Sequence, residues 1–305
     1  MRVRFETEVT VSNDGEQAPD LLARACNLSK SRVKDAMQKG AVWRVQGARK
    51  PQRLRRAVTL LARGDRLQLF YDSEILDRVP PLPELVADRR RYSVWDKPAG
   101  LLVEGSRYGD HATLLCQVES RFTPSRRTWL VHRLDLEASG LIVLAHTPQA
   151  AARLSALFRE RTIDKRYLIE VAGVPGPPGS TGRLEAALDG RAAVTDYRVI
   201  TTDTAGRVAR VEVTMRSGRY HQIRRHFALA GHPVLGDPKY GGRGAAAPAG
   251  MRLAATLIAF EDPWTHAESR FSIDARVRAA WGWPDADEIS APPPPPGNSA
   301  SPRTR

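Results

Sequence analysis

The stretch HRLDLEASGLIVLA, residues 132–145, sets a carboxylate among basic residues immediately before a run of apolar ones. Leu141-Ile142-Val143-Leu144-Ala145, entered through the small pair Ser139-Gly140, reads as a buried strand. Residues 132 to 137 then form a loop at the end of a sheet. Ionised groups beside a core cost free energy unless they are paired. His132, Arg133, Asp135 and Glu137 together therefore point to an active-site loop rather than a simple connector.

The chain around this loop has 305 residues, 42% of them hydrophobic and 27% charged, enough to bury one large domain and a small one. No apolar run is long enough to span a bilayer, and Met1-Arg2-Val3-Arg4-Phe5-Glu6 lacks the apolar segment of a secretory signal. A cytoplasmic protein without membrane contact is expected. The two cysteines, Cys26 and Cys116, cannot build a disulfide framework or a cysteine-rich zinc site. The net charge of +13 is concentrated locally. From Leu21 to Arg56 there are eleven Lys or Arg against the single Asp35, a density that suits a phosphate backbone through counterion release.

Residues 17–72 read as a compact basic domain after an N-terminal strand or extension over 1–16. A short helix is expected over Pro19–Ala25. A second, capped by Ser29 or Ser31, runs to Lys39 and stops at Gly40. Strands are expected over Ala41–Val45 and Asp65–Tyr71. Pro80, Pro81 and Pro83 mark 73–91 as a semi-extended linker, and the proline run 292–296 with the polar residues after it marks a tail expected to be disordered over 285–305.

Between these, residues 92–277 alternate short strand-like runs with helical patterns, notably Pro148 to Arg161 with Thr147 as its cap. The expected class is α+β, with a mixed or antiparallel sheet and flanking helices. A helix over Arg219–Ala230 would bury Ile223, Phe227 and Ala230 and turn His221, Arg224 and Arg225 to a basic face, to meet phosphate or a buried carboxylate.

Several chemistries do not fit. There is no G-x-S-x-G elbow and no Walker or dinucleotide fingerprint. His221 and His226 lie about 140° apart on a helix, poor geometry for one metal. Asp135 and Glu137, two apart in a loop, do not flank one glycosidic bond from opposite sides. One working carboxylate, with no metal and no cofactor, is the simplest expectation.

HRLDLEASGLIVLA resembles the H-R-L-D-x-x-T-S-G signature of the RluA-type pseudouridine synthases. DKPAGLLV (96–103), KRYL (165–168) and SGRYHQIRRHFALAGHPVLGDPKYG (217–241) are similar to that family's other motifs, in the same order. The segment SKSRVKDAMQKGAVWR (29–44) followed by ARGDRLQLFY (62–71) resembles the small RNA-binding domain named after ribosomal protein S-four, with Gln46-Gly47 where Asn-Gly is usual. The resemblance implies a pseudouridine synthase fold over 92–277 that isomerises uridines in RNA by breaking and remaking the bond between base and ribose.

It also implies roles. Asp135 is the catalytic nucleophile, Arg224 its counter-ion and Tyr167 the platform for the target base. Arg133 fills the stack left by a flipped base, and His132, Lys97, His221 and Arg219 complete the substrate-binding set. A capping aspartate, a buried strand tyrosine and a structural arginine are the alternatives for Asp135, Tyr167 and Arg133. Ala138 stands where threonine is usual, Ser217 replaces a threonine, and Ile169 an alanine. The expected substrate is ribosomal RNA and the expected state a monomer. A transfer-RNA synthase, a non-catalytic RNA-binding or ribosome-assembly factor, and a glycosidase acting on free nucleosides are the alternatives.

Overall fold

The structure, a computed structural model, describes residues 2–215, 218–241 and 250–283. The tail expected over 285–305 and the departure at Ser217 lie outside the described residues. Two compact units emerge: one from Met1–Ile163, Ala249–Met251 and Phe260–Ala267, the other from Asp164–Pro248, Arg252–Ala259 and Glu268–Arg305.

In the first unit, β1 (Arg4–Thr10) leads into α1 (Ala18–Cys26) and α2 (Lys30–Gln38), then β2 (Val42–Val45), β3 (Gln52–Arg53) and β4 (Arg66–Asp72). Ser29 caps α2, its side chain accepting from the Arg32 amide, as the local sequence predicts. The antiparallel sheet runs β1-β4-β2-β3. Leu22, Val33, Met37, Leu67 and Leu69 close its core. Alternation along β1 leaves every second residue exposed.

The segment expected to be a linker is partly ordered into elements. It carries α3 (Ser73–Leu76) and β5 (Glu84–Asp88), and β5 pairs antiparallel with β6 (Tyr92–Lys97). The prolines end before Glu84, so they leave the ladder donors of β5 intact. Next come α4 (Leu114–Arg121), β7 (Trp129–Leu130), β8 (Ser139–Ala145) and α5 (Pro148–Glu160). Strand β6 lies between β5 and β8, with Lys97 opposite Gly140 and Tyr92 opposite Ala145. Leu141 to Ala145 are all buried, as their continuous apolar run requires.

In the second unit β9 (Asp164–Ala172), β10 (Thr181–Leu188), β11 (Arg191–Thr202) and β12 (Val208–Met215) precede α6 (Gln222–Leu229), β13 (Leu253–Glu261), β14 (Glu268–Ser272) and α7 (Asp274–Trp281). The strand order is β10-β11-β12-β9-β13, antiparallel along that path, with β14 on β13. The α+β class is the one the sequence predicts. Among the described residues no helix is long and apolar enough to cross a membrane.

Candidate active site

Asp135 sits in the loop between β7 and β8, and three contacts fix that loop. Leu134 packs against the cluster of Trp95, Leu101, Val103 and Ile142. The Leu136 carbonyl accepts both the Gly100 amide at 2.8 Å and the Lys97 ammonium at 3.3 Å. His132 Nε2 accepts the Val143 amide at 2.9 Å while its ring stacks on Phe158, centroids 4.2 Å apart. An accepting Nε2 leaves Nδ1 to carry the imidazole proton. His132, expected to bind substrate, thus anchors its loop to β8 and α5. Arg133 is exposed and Asp135 half-buried. Ala138 is 1% exposed, so a threonine hydroxyl there would lie out of water and need a partner.

Lys97, also expected among the substrate-binding residues, is 0% exposed. Its ammonium donates to the carbonyls of Pro98 at 3.0 Å and Leu101 at 3.1 Å as well as to Leu136. All three donors of a lysine are thereby engaged. Burial pushes its pKa down to about 8, and the negative charges of Asp135, Glu137 and Asp96 act against that shift. Lys97 therefore staples residues 98–101 to the Asp135 loop and places a positive charge beside the carboxylate.

The third motif folds around α6, which begins at Gln222 rather than Arg219. His221, at φ 51°, adopts a left-handed conformation and ends the helical run. Ile223 and Phe227 face the core as their spacing predicts, whereas Ala230 is the exposed C-cap. The Gln222 side chain donates to the Val194 carbonyl and Thr195 Oγ1 and accepts the Arg219 amide, tying the turn to β11. Burial holds His226 below the usual histidine range.

Arg224 is 1% exposed. Its Nε and Nη2 donate to the two carboxylate oxygens of Asp237 at 2.7 and 2.8 Å. Its Nη1 lies 3.3 Å from His221 Nε2, and its guanidinium carbon 5.4 Å from the Tyr240 ring centroid. Burial alone would raise the Asp237 carboxyl. The hydrogen bonds from Arg224 and from the Lys239 and Tyr240 amides outweigh that and hold it below the usual range. His221 stacks on Tyr220, centroids 3.7 Å apart. Tyr167 is 6% exposed on β9, opposite Val213 and Ala255.

Residues 91–229 match the family described as RNA pseudouridylate synthase. An uncharacterized RNA pseudouridine synthase of Aquifex aeolicus is 31% identical over 272 residues, covering 81% of this chain and 84% of that protein. The chain belongs to the RluA-type RNA pseudouridine synthases. The ribosomal large subunit pseudouridine synthase D of Zymomonas mobilis is 34% identical, over 70% of this chain and 73% of that one. The dual-specificity RNA pseudouridine synthase RluA of Escherichia coli K12 is 36% identical, over 54% and 78%. The solved human RNA pseudouridylate synthase domain containing 1 shares the fold: TM-score 0.53 at 24% identity, over 64% of this chain and 85% of that one.

The residue that reading this pseudouridine synthase from sequence does not single out is Asp237. Its signal was present in GDPKYG, where an aspartate two and three residues before amides can close a turn on its own side chain. Nothing local links it to Arg224, thirteen residues earlier. Among the described residues no three of His, Cys, Asp and Glu lie where they could hold a metal ion.

Proposed function

We propose that this pseudouridine synthase acts on uridines of ribosomal RNA, with Asp135 as its catalytic carboxylate, as a cytoplasmic monomer. The observation that carries the role of Asp135 is the Lys97 staple. A buried ammonium that holds the Leu136 carbonyl, next to Asp135 in the chain, fixes the backbone of the loop, and a nucleophilic or eliminating carboxylate must be held in place in that way. Attack on the ribose, attack on the base and elimination at the ribose are all open to it. Arg224 as counter-ion, Tyr167 as base platform, and Arg133, Arg219 and His221 as RNA contacts rest on their match to the family motifs. Ribosomal RNA is supported by the large-subunit relative and by the N-terminal domain's likeness to the S-four type.

The test uses RNA tritiated at uracil carbon 5. Isomerisation forms the glycosidic bond at carbon 5 and expels the tritium. Wild type is expected to release it and Asp135→Ala to release none. Release by the variant overturns the assignment. Failure of both proteins on every cellular RNA favours a non-catalytic RNA-binding factor. Pseudouridine maps from cells with and without the protein then distinguish ribosomal from transfer RNA.

A further inference from the structure

The loop Glu104–Thr113, immediately after the DKPAGLLV motif, grips the N-terminal basic domain along one line of contacts. Asp110 is the centre. Its carboxylate accepts Arg55 Nη2 at 2.8 and 2.6 Å and pairs with Arg53 Nε at 3.1 Å, while its amide donates to the Lys39 carbonyl at 3.0 Å. The same two arginines reach the end of α2. Arg55 Nη1 donates to the Gln38 carbonyl at 2.7 Å and Arg53 Nη1 to that of Gly40, so they satisfy carbonyls that a helix terminus leaves open. Arg53 Nη2 also donates to the Ser106 carbonyl at 2.8 Å, and Trp43 Nε1 to that of Arg107 at 3.0 Å.

Tyr108 makes the far end of the contact. Its hydroxyl donates to Glu6 at 2.5 Å and accepts Arg4 Nη2 at 2.9 Å, and its ring lies edge-on to Phe70 at 5.9 Å. Gly109, at φ 152°, brings the loop in close: a Cβ there would stand 3.2 Å from the Lys39 carbonyl. Contacts thus come from β1, the end of α2, β2, β3 and β4, and all belong to the unit that also holds Asp135. Such a contact fixes orientation, which a tether would leave open.

We propose that the Asp110 loop docks the basic domain rigidly on the catalytic loops, making Asp110 a positioning residue that sets which uridine reaches Asp135. The inference rests on the proposed function and on the basic domain gripping RNA, as its charge density and its likeness to the S-four type imply. Its exposed cations Lys34, Arg49, Lys50 and Arg56 are the ones to meet phosphate. The distance from that grip to Asp135 is then a fixed length that selects the site.

Two variants test it, one at the centre of the dock and one at its far end: Asp110→Asn and Tyr108→Ala. With total cellular RNA tritiated at uracil carbon 5, each is expected to raise the apparent KM about tenfold and leave kcat within about twofold. Pseudouridine mapping should show uridines that wild type leaves untouched, and amides 106–113 should exchange hydrogen faster. Unchanged KM and site map in both variants overturn the dock. So does a fall in kcat with KM constant, which would mark a purely structural or catalytic loop. Arg49→Ala/Lys50→Ala protein separates the two readings. An unchanged salt dependence of its RNA affinity overturns the grip itself. A weakened salt dependence combined with unaltered Asp110→Asn and Tyr108→Ala proteins overturns the dock alone.

Discussion

Residues 21–56 and residues 219–226 are the two strongly basic stretches of the functional regions, and the fold uses their charge in opposite ways. In the first, at least seven of the eleven cations hold an ion pair: Arg24, Lys30, Arg32, Lys39, Arg44, Arg53 and Arg55, with carboxylates from Glu16 to Asp110. Most of these pairs are solvent-accessible and contribute little each. In the second, Arg225 pairs with the exposed Asp189, but Arg224 pairs with Asp237, with the two side chains 1% and 0% exposed. Charge density along a sequence therefore overstates the charge available to a ligand. What separates the two regions is burial, which makes the Arg224–Asp237 pair costly to break and leaves the solvent-accessible pairs cheap to lose in stability.

Breaking the buried pair should have the largest effect. Asp237→Ala leaves the Arg224 guanidinium buried without its carboxylate and should cost about 3–5 kcal/mol in urea unfolding. A loss below about 1 kcal/mol would place Arg224 in an environment wetter than described. Lys97 carries the contrast into the first unit. Lys97→Met strips donors from the Pro98, Leu101 and Leu136 carbonyls and should cost about 1–3 kcal/mol near pH 7. Unfolded, Lys97 keeps its proton up to 10.5, and folded it releases it near 8. Between those values the unfolded chain binds more protons, so stability owed to Lys97 rises with pH. The gap between wild type and Lys97→Met should therefore widen from pH 8 to 10.5, and a narrowing gap would contradict the burial of its ammonium.

The exposed side of the comparison is sharpened by RNA binding. Arg49→Ala/Lys50→Ala should lower the slope of log K against log salt by about 1.8, roughly 0.9 per lost phosphate contact. Arg32→Ala, which removes a cation paired with Asp77 at 3.1 Å, should change that slope less and leave the unfolding midpoint where it was. Equal slopes for the two variants would erase the distinction between paired and unpaired cations.

Features set by neighbours in sequence were legible before the fold was known. Thr147 caps α5 through the Ala150 amide, and Ser29 caps α2, because a cap needs only three residues. The buried run of β8 was equally plain. Strand β5 was hidden because its ladder partner β6 lies beyond Arg89 and Arg91, and the prolines before it dominate the local reading. The start of α6 was misplaced because nothing in RYHQ announces a left-handed His221. Asp135 and Arg224 stood out through their motifs. Their supports did not: Asp237 and Asp110 act on residues thirteen and fifty-five positions away, and Lys97 showed its charge but not its burial.

Gly241 closes the turn that carries Asp237, its amide donating to the Asp237 carbonyl at 3.0 Å. A Cβ at that position would overlap the same carbonyl oxygen. A lesion as small as one methyl group there would be inherited as a loss of activity although it touches neither RNA nor Arg224. In a screen of random variants Gly241 would be scored with the reacting groups. The catalytic map drawn from such a screen would extend to a residue with no side chain at all.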